Sequence, residues 1–424
     1  MDSEANKKRL LVITSYPEKG TTHGKQTVGV ASYAKNTLKA LLQATQNLDI
    51  TVLAEKLDDS EHSYKDEGVA VKRVWERKSF LTFWHLTAEI LNSHQKTKDI
   101  LLELELAMFG GTVQLLPLPL FLLAMKLSGR KVTIVNHQVI SDIDELSGHI
   151  NREKGSPVLK FYNASLKILY KAELLLASRI IVFDEVFKDK LMRLGSTQKI
   201  SVIPHGVETF RNVIGREEAK KKLGIKPSEF VILSFGYLAW YKGTDILVQA
   251  MKKFKSTTGN KARDTLLILA GGPNTNHMDK KFYQDYIEKI ENGCRDTGSW
   301  VTGYVSESDI ELYYQASDIV VFPYRTLMSS SGPLSIALSF KKPFLVSAAM
   351  KEIFETNDVK KIIERLKIDK KDVYFENPED LTDKLLAQQK NPSSFDKIRR
   401  LSDELSQVRS WQIIGKMYRD TLFA

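Results

Sequence analysis

The stretch that decides the fold runs from Phe322 to Ser347 and reads FPYRTLMSSSGPLSIALSFKKPFLVS. The β-branched apolar run at 319–322 is typical of a buried parallel strand, and Pro323 ends it. Small polar residues then lead to Pro333, and proline is favoured at the start of a helix. The stretch therefore predicts a strand, a polar loop, a helix and a new strand in succession.

The loop before this helix has the composition of a phosphate site. A helix that starts at Pro333 leaves unpaired N–H groups and the positive end of its dipole facing the loop. Four small residues there leave room for a bulky anion: Ser329, Ser330, Ser331 and Gly332. An ordinary capped helix in an α/β domain has the same composition, and the stretch alone leaves both interpretations open.

Length and composition exclude several classes of protein. The 424 residues are too many for one compact core and predict two domains of roughly 200 residues each. A single cysteine, Cys294, excludes a disulfide framework, and no His, Asp or Glu cluster has metal-ligand spacing, so no metal site is expected. The apolar run Leu10–Ile13 is too short for a signal peptide. We expect a cytoplasmic protein.

The net charge of +10 comes from small scattered basic groups. They stand beside acidic residues on predicted helices, as solvated faces do, and aromatic residues are not interleaved with them. The pattern therefore argues against nucleic acid as a partner. A mild attraction to an anionic membrane or a phosphorylated ligand remains open.

The chain begins with a strand, a glycine-bearing loop and a helix. These are Leu10–Thr14, Ser15–Val28 and Val30–Leu42, a Rossmann-like start without the Gly-x-Gly-x-x-Gly fingerprint. Helical stretches separate most of the strands that follow, so a mostly parallel sheet covered on both faces is expected. The predicted strands are Ile50–Leu53, Val69–Val74, Ile100–Leu104, Val132–Asn136, Ile180–Phe183 and Ile200–Ile203.

The pattern restarts in the second half, after a proline and a glycine near residues 203–207. Further strands are predicted at Phe230–Phe235, Leu266–Leu269, Trp300–Val301, Ile319–Phe322 and Phe344–Ser347. The fold class is therefore α/β, with two Rossmann-like, doubly wound parallel-sheet domains facing across a cleft. We place the domains at 1–207 and 208–410, with a last helix from about Trp411.

Three polar residues follow strands whose carboxyl ends should line that cleft. His137 follows its strand directly, although a lone histidine is commonly structural. Lys242 stands in the loop after the strand that ends near Gly236, where a lysine can neutralise a diphosphate or remain a surface lysine. Arg325 follows the strand of the opening stretch and faces either the cleft or solvent.

Five stretches together resemble a known arrangement. The chain resembles retaining glycosyltransferases of the GT-B fold, of glycosyltransferase family four (glycosyl transferases group one). The likeness spans most of the chain, and it rests on Gly29–Tyr33, Asn136–His137, Ile203–Val207, Phe235–Gly243, and Gly303–Val305 continuing through Ala316–Pro323 into Lys342–Pro343.

The resemblance implies roles for these residues. His137 would contact the transferred sugar and Lys242 would balance the diphosphate, without an essential metal or cofactor. The remaining implied roles are donor and diphosphate binding by Gly29, Gly236 and the Ser329–Gly332 loop, and base binding by Tyr304 and Val305. The family also tends to have an arginine next to the lysine loop, where this chain has Tyr237 and Ala239, and we expect Arg325 to supply that charge at the diphosphate. The C-terminal helix, 411–424, would pack back on the first, acceptor-binding domain, and the second domain would bind the nucleotide sugar.

The sequence departs from the family pattern at two positions. The family usually has two glutamates there, one at the donor sugar and one at the ribose. Aligned back from Lys342–Pro343, these positions are Met328 and Ile336, and neither side chain can hydrogen-bond a hydroxyl. The departure marks a subgroup, altered donor binding or lost activity.

The resemblance implies a retaining hexosyltransferase that moves a hexose from a UDP- or GDP-linked donor to a carbohydrate or lipid-linked acceptor. The alternative is a non-catalytic GT-B binding protein with a degenerate donor site, as Met328 and Ile336 suggest. A sugar-nucleotide epimerase is a third possibility, disfavoured because the expected acid and base carboxylates are not evident.

Two apolar segments bear on membranes. Met108–Leu127 contains two prolines and a lysine, which disfavour a membrane span, so a loop and a buried helix from Pro119 to Leu127 are predicted. Arg77–Leu86 mixes basic and large apolar residues, as interfacial helices do. Buried amphipathic packing explains it as well, and a peripheral position at the inner face of a membrane stays open.

Overall fold

The protein is described by a computed structural model that covers residues 7–22, 29–58, 60–195, 198–210, 213–258, 264–274 and 278–424. Within these residues the chain forms two α/β domains, each built on one largely parallel sheet. No helix in the described residues is both long and apolar enough to cross a membrane.

The first domain alternates strands and helices along most of its length. Its strands are β1 (Lys8–Ile13), β2 (Leu48–Glu55), β3 (Ser63–Asp66), β4 (Val69–Trp75), β5 (Asp99–Leu104), β6 (Lys131–Asn136), β7 (Arg179–Val182) and β8 (Ile200–Val202). Its helices are α1 (Val30–Ala44), α2 (Thr82–Ser93), α3 (Leu106–Phe109), α4 (Leu118–Leu127), α5 (Ser147–Ile150), α6 (Pro157–Leu176) and α7 (Glu185–Met192).

The eight strands lie in the order β3-β4-β2-β1-β5-β6-β7-β8, and all neighbours are parallel except β3 and β4. Successive residues of β1 point to opposite faces. Leu11 and Ile13 pack under α2, α4 and α6, whereas Leu10 and Val12 pack under α1. The sheet is therefore covered on both faces, which explains its nearly continuous apolar strands.

The second domain has the same organisation with six strands. Its strands are β9 (Phe230–Phe235), β10 (Thr265–Ala270), β11 (Trp300–Val301), β12 (Ile319–Phe322), β13 (Phe344–Ser347) and β14 (Tyr374–Phe375), in the order β11-β10-β9-β12-β13-β14. Its helices are α8 (Arg216–Lys222), α9 (Thr244–Thr258), α10 (Lys281–Thr297), α11 (Ile310–Ala316), α12 (Gly332–Ser339), α13 (Asn357–Leu366), α14 (Pro378–Lys390) and α15 (Asp396–Val408).

The last helix, α16 (Trp411–Phe423), returns to the first domain and packs on α1. The two helices approach closely because Gly415 has no side chain: a Cβ there would lie 2.4 Å from the carbonyl oxygen of Ala40. The hydroxyls of Tyr33 and Tyr418 are hydrogen-bonded at 2.7 Å across this contact. The chain thus crosses twice between the domains.

The predicted two-domain α/β fold is confirmed, and the predicted strands match the observed ones to within two residues at most ends. Three features differ. The two-residue strand β14 at the edge of the second sheet was not predicted. The short antiparallel strand β3, a polar strand at the sheet edge, was not predicted. The helix predicted as buried from Pro119 is buried on one side only, and Leu120 and Leu127 are 55% and 79% exposed.

Candidate functional site

The helix predicted to hold phosphate is present, and its first turn is open. α12 begins at Gly332, where an added Cβ would meet nothing within 4 Å. Ser331 caps the helix, and its hydroxyl accepts from the backbone N–H of Leu334 at 3.2 Å. The same hydroxyl lies 3.0 Å from the hydroxyl of Tyr324. The Ser331 side chain is therefore occupied with capping, and an anion would meet backbone amides first.

Lys242 lies at this helix end, after β9. Its Nζ is so near Gly236 that a Cβ on the glycine would lie 2.5 Å from it, and the same Cβ would lie 3.5 Å from Pro333 of α12. The Lys242 ammonium is 5.9 Å from the centroid of the Tyr324 ring. Lys242, Gly236 and the first turn of α12 therefore converge on one place.

Lys242 is half-buried, and its Nζ has neither a hydrogen bond nor an ion pair within the described residues. Burial, which disfavours the charged form, lowers the pKa of Lys242 from 10.5 to about 8. A buried ammonium group has lost its stabilising interactions with water. A bound anion would replace them, so a desolvated lysine without a counterion favours anion binding.

Glycines bring the neighbouring loops into contact at the carboxyl ends of β9, β10 and β12. Gly243 has a φ of +66°, and it lies close to the residue that follows β12. A Cβ on Gly243 would lie 1.9 Å from the carbonyl oxygen of Pro323. A Cβ on Gly271 would lie 2.0 Å from the carbonyl oxygen of Gly236. Only glycine permits these approaches, and they set the path of the loop that carries Lys242.

Arg325 contacts the turn at Trp240–Lys242 that carries the lysine. Its guanidinium makes two hydrogen bonds with the Asp245 carboxylate, at 2.9 and 2.8 Å, and a third with the carbonyl oxygen of Trp240 at 2.7 Å. It also stacks on the Trp240 ring. Arg325 thus holds the Trp240–Lys242 turn and has its charge neutralised by Asp245, and its predicted contact with the diphosphate stays a prediction.

The loop that carries Ser329 bonds to the first domain. Gln138 and Ser329 form an antiparallel bridge, and the N–H of Val139 donates to the carbonyl oxygen of Met328 at 3.0 Å. Thr326 donates to a carboxylate oxygen of Glu145 at 2.7 Å. The strand ends of the two domains thus meet here, and His137, next to Gln138, is brought near the first turn of α12.

His137 forms a buried pair with a carboxylate that sequence reasoning missed. Its Nε2 lies 2.5 Å from Oε2 of Glu103, whose side chain is fully buried in the neighbouring strand β5. The rings of Tyr33 and Phe183 pack edge-on against the imidazole at 4.9 and 5.1 Å. Glu103 therefore determines the orientation of the imidazole, and the aromatic rings restrict its movement.

A second carboxylate, Glu105, stands at the same edge. It accepts from the side-chain amide of Gln138 at 2.8 Å, and desolvation raises its pKa above the usual value. The signal for both carboxylates was in the sequence: Leu102-Glu103-Leu104-Glu105 places acidic residues at the end of a strand. The alternation of leucine and glutamate indicated that acidic side chains lie at the carboxyl end of this strand. It did not show which of the two glutamates contacts His137.

The other predicted positions are spread around this edge. Gly29 stands directly before α1, next to residues 23–28, which lie outside the described residues together with Gly24 of the predicted glycine loop. Tyr304 is 66% exposed beside the half-buried Val305. Ser330 borders a cavity of about 30 Å³ shared with Asp184 and Arg409. The roles predicted for these residues stay predictions.

Met328 and Ile336, the positions where glutamates were expected, are partly buried and pack against the apolar core. Their side chains support the loop and α12. Any ligand held at this edge would therefore rely on Lys242, on backbone amides and on polar groups of the first domain.

Comparison with solved structures assigns the class of fold. Sucrose-phosphate synthase of Thermosynechococcus elongatus superposes with a TM-score of 0.71 at 14% identity, covering 98% of this chain and 99% of that one. HepE of Anabaena in complex with UDP-glucose gives 0.64 at 14% identity, with the same coverage. The trehalose-phosphate synthase of Burkholderia xenovorans in complex with glucose-6-phosphate gives 0.66 at 10% identity, over 98% and 100%. The chain has the GT-B fold.

The sequence comparison identifies the family of the second domain. Residues 215–389 match the family described as glycosyl transferases group 1, so this part of the chain carries the domain of that family. The resemblance expected from the sequence is confirmed for this part of the chain, and the retaining mechanism stays a prediction. A 145-residue segment is also 27% identical to alpha-monoglucosyldiacylglycerol synthase of Acholeplasma laidlawii. That match covers 33% of this chain and 34% of that synthase, about a third of each.

Proposed function

We propose that the protein is a retaining hexosyltransferase that takes a hexose from a nucleoside diphosphate sugar and transfers it to a carbohydrate or lipid-linked acceptor. The observation that carries the proposal is Lys242. Its half-buried ammonium has no counterion in the described residues and lies beside the open first turn of α12. A diphosphate is the anion that such a lysine and helix terminus bind together.

In this proposal the chain acts mainly through charge. As the bond between the sugar and the diphosphate breaks, negative charge grows on the leaving phosphate. Lys242 and the amides of α12 stabilise that charge more strongly in the transition state than in the bound donor. His137, oriented by Glu103, contacts the sugar from the other domain. The acceptor hydroxyl attacks from the face that the diphosphate leaves, its proton passes to the departing phosphate oxygen, and the configuration is retained.

The relatives suggest which donors and acceptors to test. The matched synthase of Acholeplasma laidlawii is named for a glucosylated diacylglycerol, and this supports a lipid acceptor. The HepE complex holds UDP-glucose, and the Burkholderia synthase is described as UDP-forming. These favour a UDP-linked hexose donor, with GDP-linked hexoses as the second set to test. The glucose-6-phosphate of the Burkholderia structure supports a carbohydrate acceptor.

The direct experiment is an assay with a panel of UDP- and GDP-hexoses and acceptors of both classes, followed by determination of the product's linkage. Transfer with an α-linkage from an α-linked donor supports the proposal. Absence of both transfer and donor hydrolysis across the panel contradicts it. In the same assay a chelator should leave the rate unchanged, because Lys242 and α12 take the charge-stabilising role of a metal.

Met328 and Ile336 favour one alternative, a GT-B binding protein without catalytic activity. They leave the expected glutamate positions without a hydrogen-bonding group. Calorimetry with UDP and GDP separates the two hypotheses. The transferase should bind at least one of these nucleotides, whereas a degenerate site should bind neither.

A further inference from the structure

The layer of α2, α4 and α6 carries an exposed apolar surface. Among the described residues, 12 of the 21 exposed large apolar side chains lie between Phe80 and Leu175, on these helices or directly before them. α4 lies between the other two and contacts both. Such a concentration of exposed apolar side chains on adjacent helices is unusual on a protein that stays in water and indicates an interaction site.

Each of the three helices contributes one stripe. On α4 and the turn before it, Leu116, Leu120, Leu123 and Leu127 are 50, 55, 40 and 79% exposed. Their spacing of four, three and four residues places them along one side of a helix. Other apolar residues of α4 fill the opposite side and pack into the core, and the exposed Lys126 is the one charged side chain of this helix.

α6 repeats the arrangement at helical spacing. Phe161, Ile168 and Leu175 are 53, 63 and 68% exposed and lie seven residues apart, about two helical turns. On α2 and its N-cap, Leu81 and Trp84 are both 55% exposed. Of the predicted interfacial segment Arg77–Leu86, Phe83 and Leu86 are buried, so that segment has one face in the core and one face outside.

The charges on this surface have one sign. Lys160, Lys167 and Lys171 of α6 are exposed, and none has an ion pair within the described residues. The three helices hold only two carboxylates: Glu173 is fully buried, and Glu89 is bonded to Lys72 at 2.6 Å. Exposed charge on the surface is therefore cationic.

We propose that the outer surface of α2, α4 and α6 docks on an anionic lipid bilayer. Apolar stripes fringed by lysines match the interface between acyl chains and anionic headgroups. A second copy of the chain is disfavoured because two such surfaces would bring lysines against lysines. The inference goes beyond the proposed function, since docking requires neither donor nor catalysis.

The test is flotation of the full-length protein with vesicles of phosphatidylcholine containing 30% phosphatidylglycerol, and with vesicles of phosphatidylcholine alone, both without nucleotide sugar. We expect at least tenfold more bound protein on the anionic vesicles, decreasing as salt is added. Absence of binding to the anionic vesicles overturns the proposal.

Matched variants locate the surface. Leu127→Ser with Ile168→Ser should reduce binding at least tenfold, whereas Val408→Ser with Ile413→Ser, at exposed apolar positions on other helices, should not. Lys160→Glu, Lys167→Glu and Lys171→Glu should abolish the preference for anionic lipid. Lys360→Glu, Lys361→Glu and Lys416→Glu make the same charge change elsewhere and should preserve it.

Thermal unfolding checks that each variant is folded, and light scattering measures the oligomeric state. All variants change exposed side chains, so an unchanged melting temperature is expected, and a variant that fails to fold is replaced by its single substitutions. Equal vesicle binding by surface and control variants overturns the proposal. So does a wild-type dimer that the Leu127→Ser and Ile168→Ser pair dissociates, since the surface would then belong to a second copy.

Discussion

At the scale of single residues, Lys242 carries the chemical argument. Its side chain lies at the carboxyl end of β9 without a counterion in the described part of the chain, and its pKa is lowered to about 8 by burial. A neutral amine cannot attract a diphosphate, so the affinity for a nucleotide should depend on the protonation of this group.

The affinity for the preferred nucleoside diphosphate should be highest below pH 8 and fall as the pH rises through 8, approaching tenfold per pH unit. The sign follows because a lysine is charged below its pKa and neutral above it. Calorimetry from pH 7 to 9.5 measures the change. Lys242→Met should bind the nucleotide at least 100-fold more weakly and without this pH dependence. A Lys242→Met variant with the wild-type profile would remove Lys242 from the site.

Glu103 is a positioning residue in this account, because it acts on the sugar through His137. Glu103→Gln should lower kcat about 10- to 100-fold with little change in KM for the donor, since the imidazole loses the carboxylate that orients it. Steady-state kinetics across pH separates this role from a purely structural one. If Glu103 positions His137, Glu103→Gln should change the pH dependence of kcat. If its role is purely structural, the substitution should lower the melting temperature and leave the pH dependence of kcat unchanged.

Glu173 offers a test that is independent of function. Burial raises its pKa from 4.5 to about 8, although Asn136 donates a hydrogen bond to it at 2.8 Å. Between pH 4.5 and 8, the Glu173 carboxyl is therefore protonated in the folded protein and ionised in the unfolded protein. The contribution of this group to the free energy of unfolding decreases as the pH rises through that range. Glu173→Gln should unfold at a higher temperature than wild type near pH 8 and show little difference near pH 4.5. An equal difference at both pH values would contradict the assignment.

At the scale of elements, glycines determine how the loops of the second domain meet. Gly243→Ala would place a Cβ 1.9 Å from the carbonyl oxygen of Pro323 at a φ of +66°. We expect a loss of about 1–3 kcal/mol of stability together with weaker nucleotide binding, because the turn that carries Lys242 would move. Gly215→Ala is the matched control, since a Cβ there meets nothing within 4 Å. Chemical denaturation compares the two, and equal stability would show that the loop adapts.

The sequence predicted the elements well because their signals are local. The apolar run at 319–322 and Pro333 were sufficient to place β12 and the start of α12. Exposure was harder to predict. Apolar composition indicated that α4 belongs in a core, but composition does not show how many sides of a helix are covered, and Leu120 and Leu127 face outward.

Contacts between side chains that are far apart in the sequence could not be predicted from the sequence. Arg325 was expected to serve the diphosphate, and its partner Asp245 lies 80 residues earlier in the chain. The pairing becomes visible only when β9 and β12 are neighbours in the sheet. Glu103 and His137 were nearer to prediction, because β5 and β6 are adjacent and both residues follow apolar runs.

At the scale of the whole molecule, the two domains touch through the loop that leads to α12. Thr326 donates to Glu145, and Lys190 donates to the carbonyl oxygen of Leu327 at 3.1 Å. These bonds hold Ser329 near His137, so the site would be completed only when the domains are close. Domain approach and donor binding should therefore be coupled.

Thr326→Val removes the hydroxyl that bonds to Glu145 while preserving the shape of the side chain. We expect KM for the donor to rise about tenfold, since a hydrogen bond to a charged group contributes about 1.5–3 kcal/mol. The melting temperature should change little. Thr87→Val, on α2 and far from the domain contact, is the control. If both variants have the same KM, the contact has no part in donor binding.

Lys242 and the first turn of α12 together form the nucleoside diphosphate site that we propose. Titration of the wild-type protein and of Lys242→Met with UDP and GDP at pH 7 tests it most directly. We expect saturable binding of at least one nucleotide by the wild type and at least 100-fold weaker binding by Lys242→Met, with an unchanged melting temperature. Binding of neither nucleotide by the wild type, or equal binding by both proteins, would contradict it.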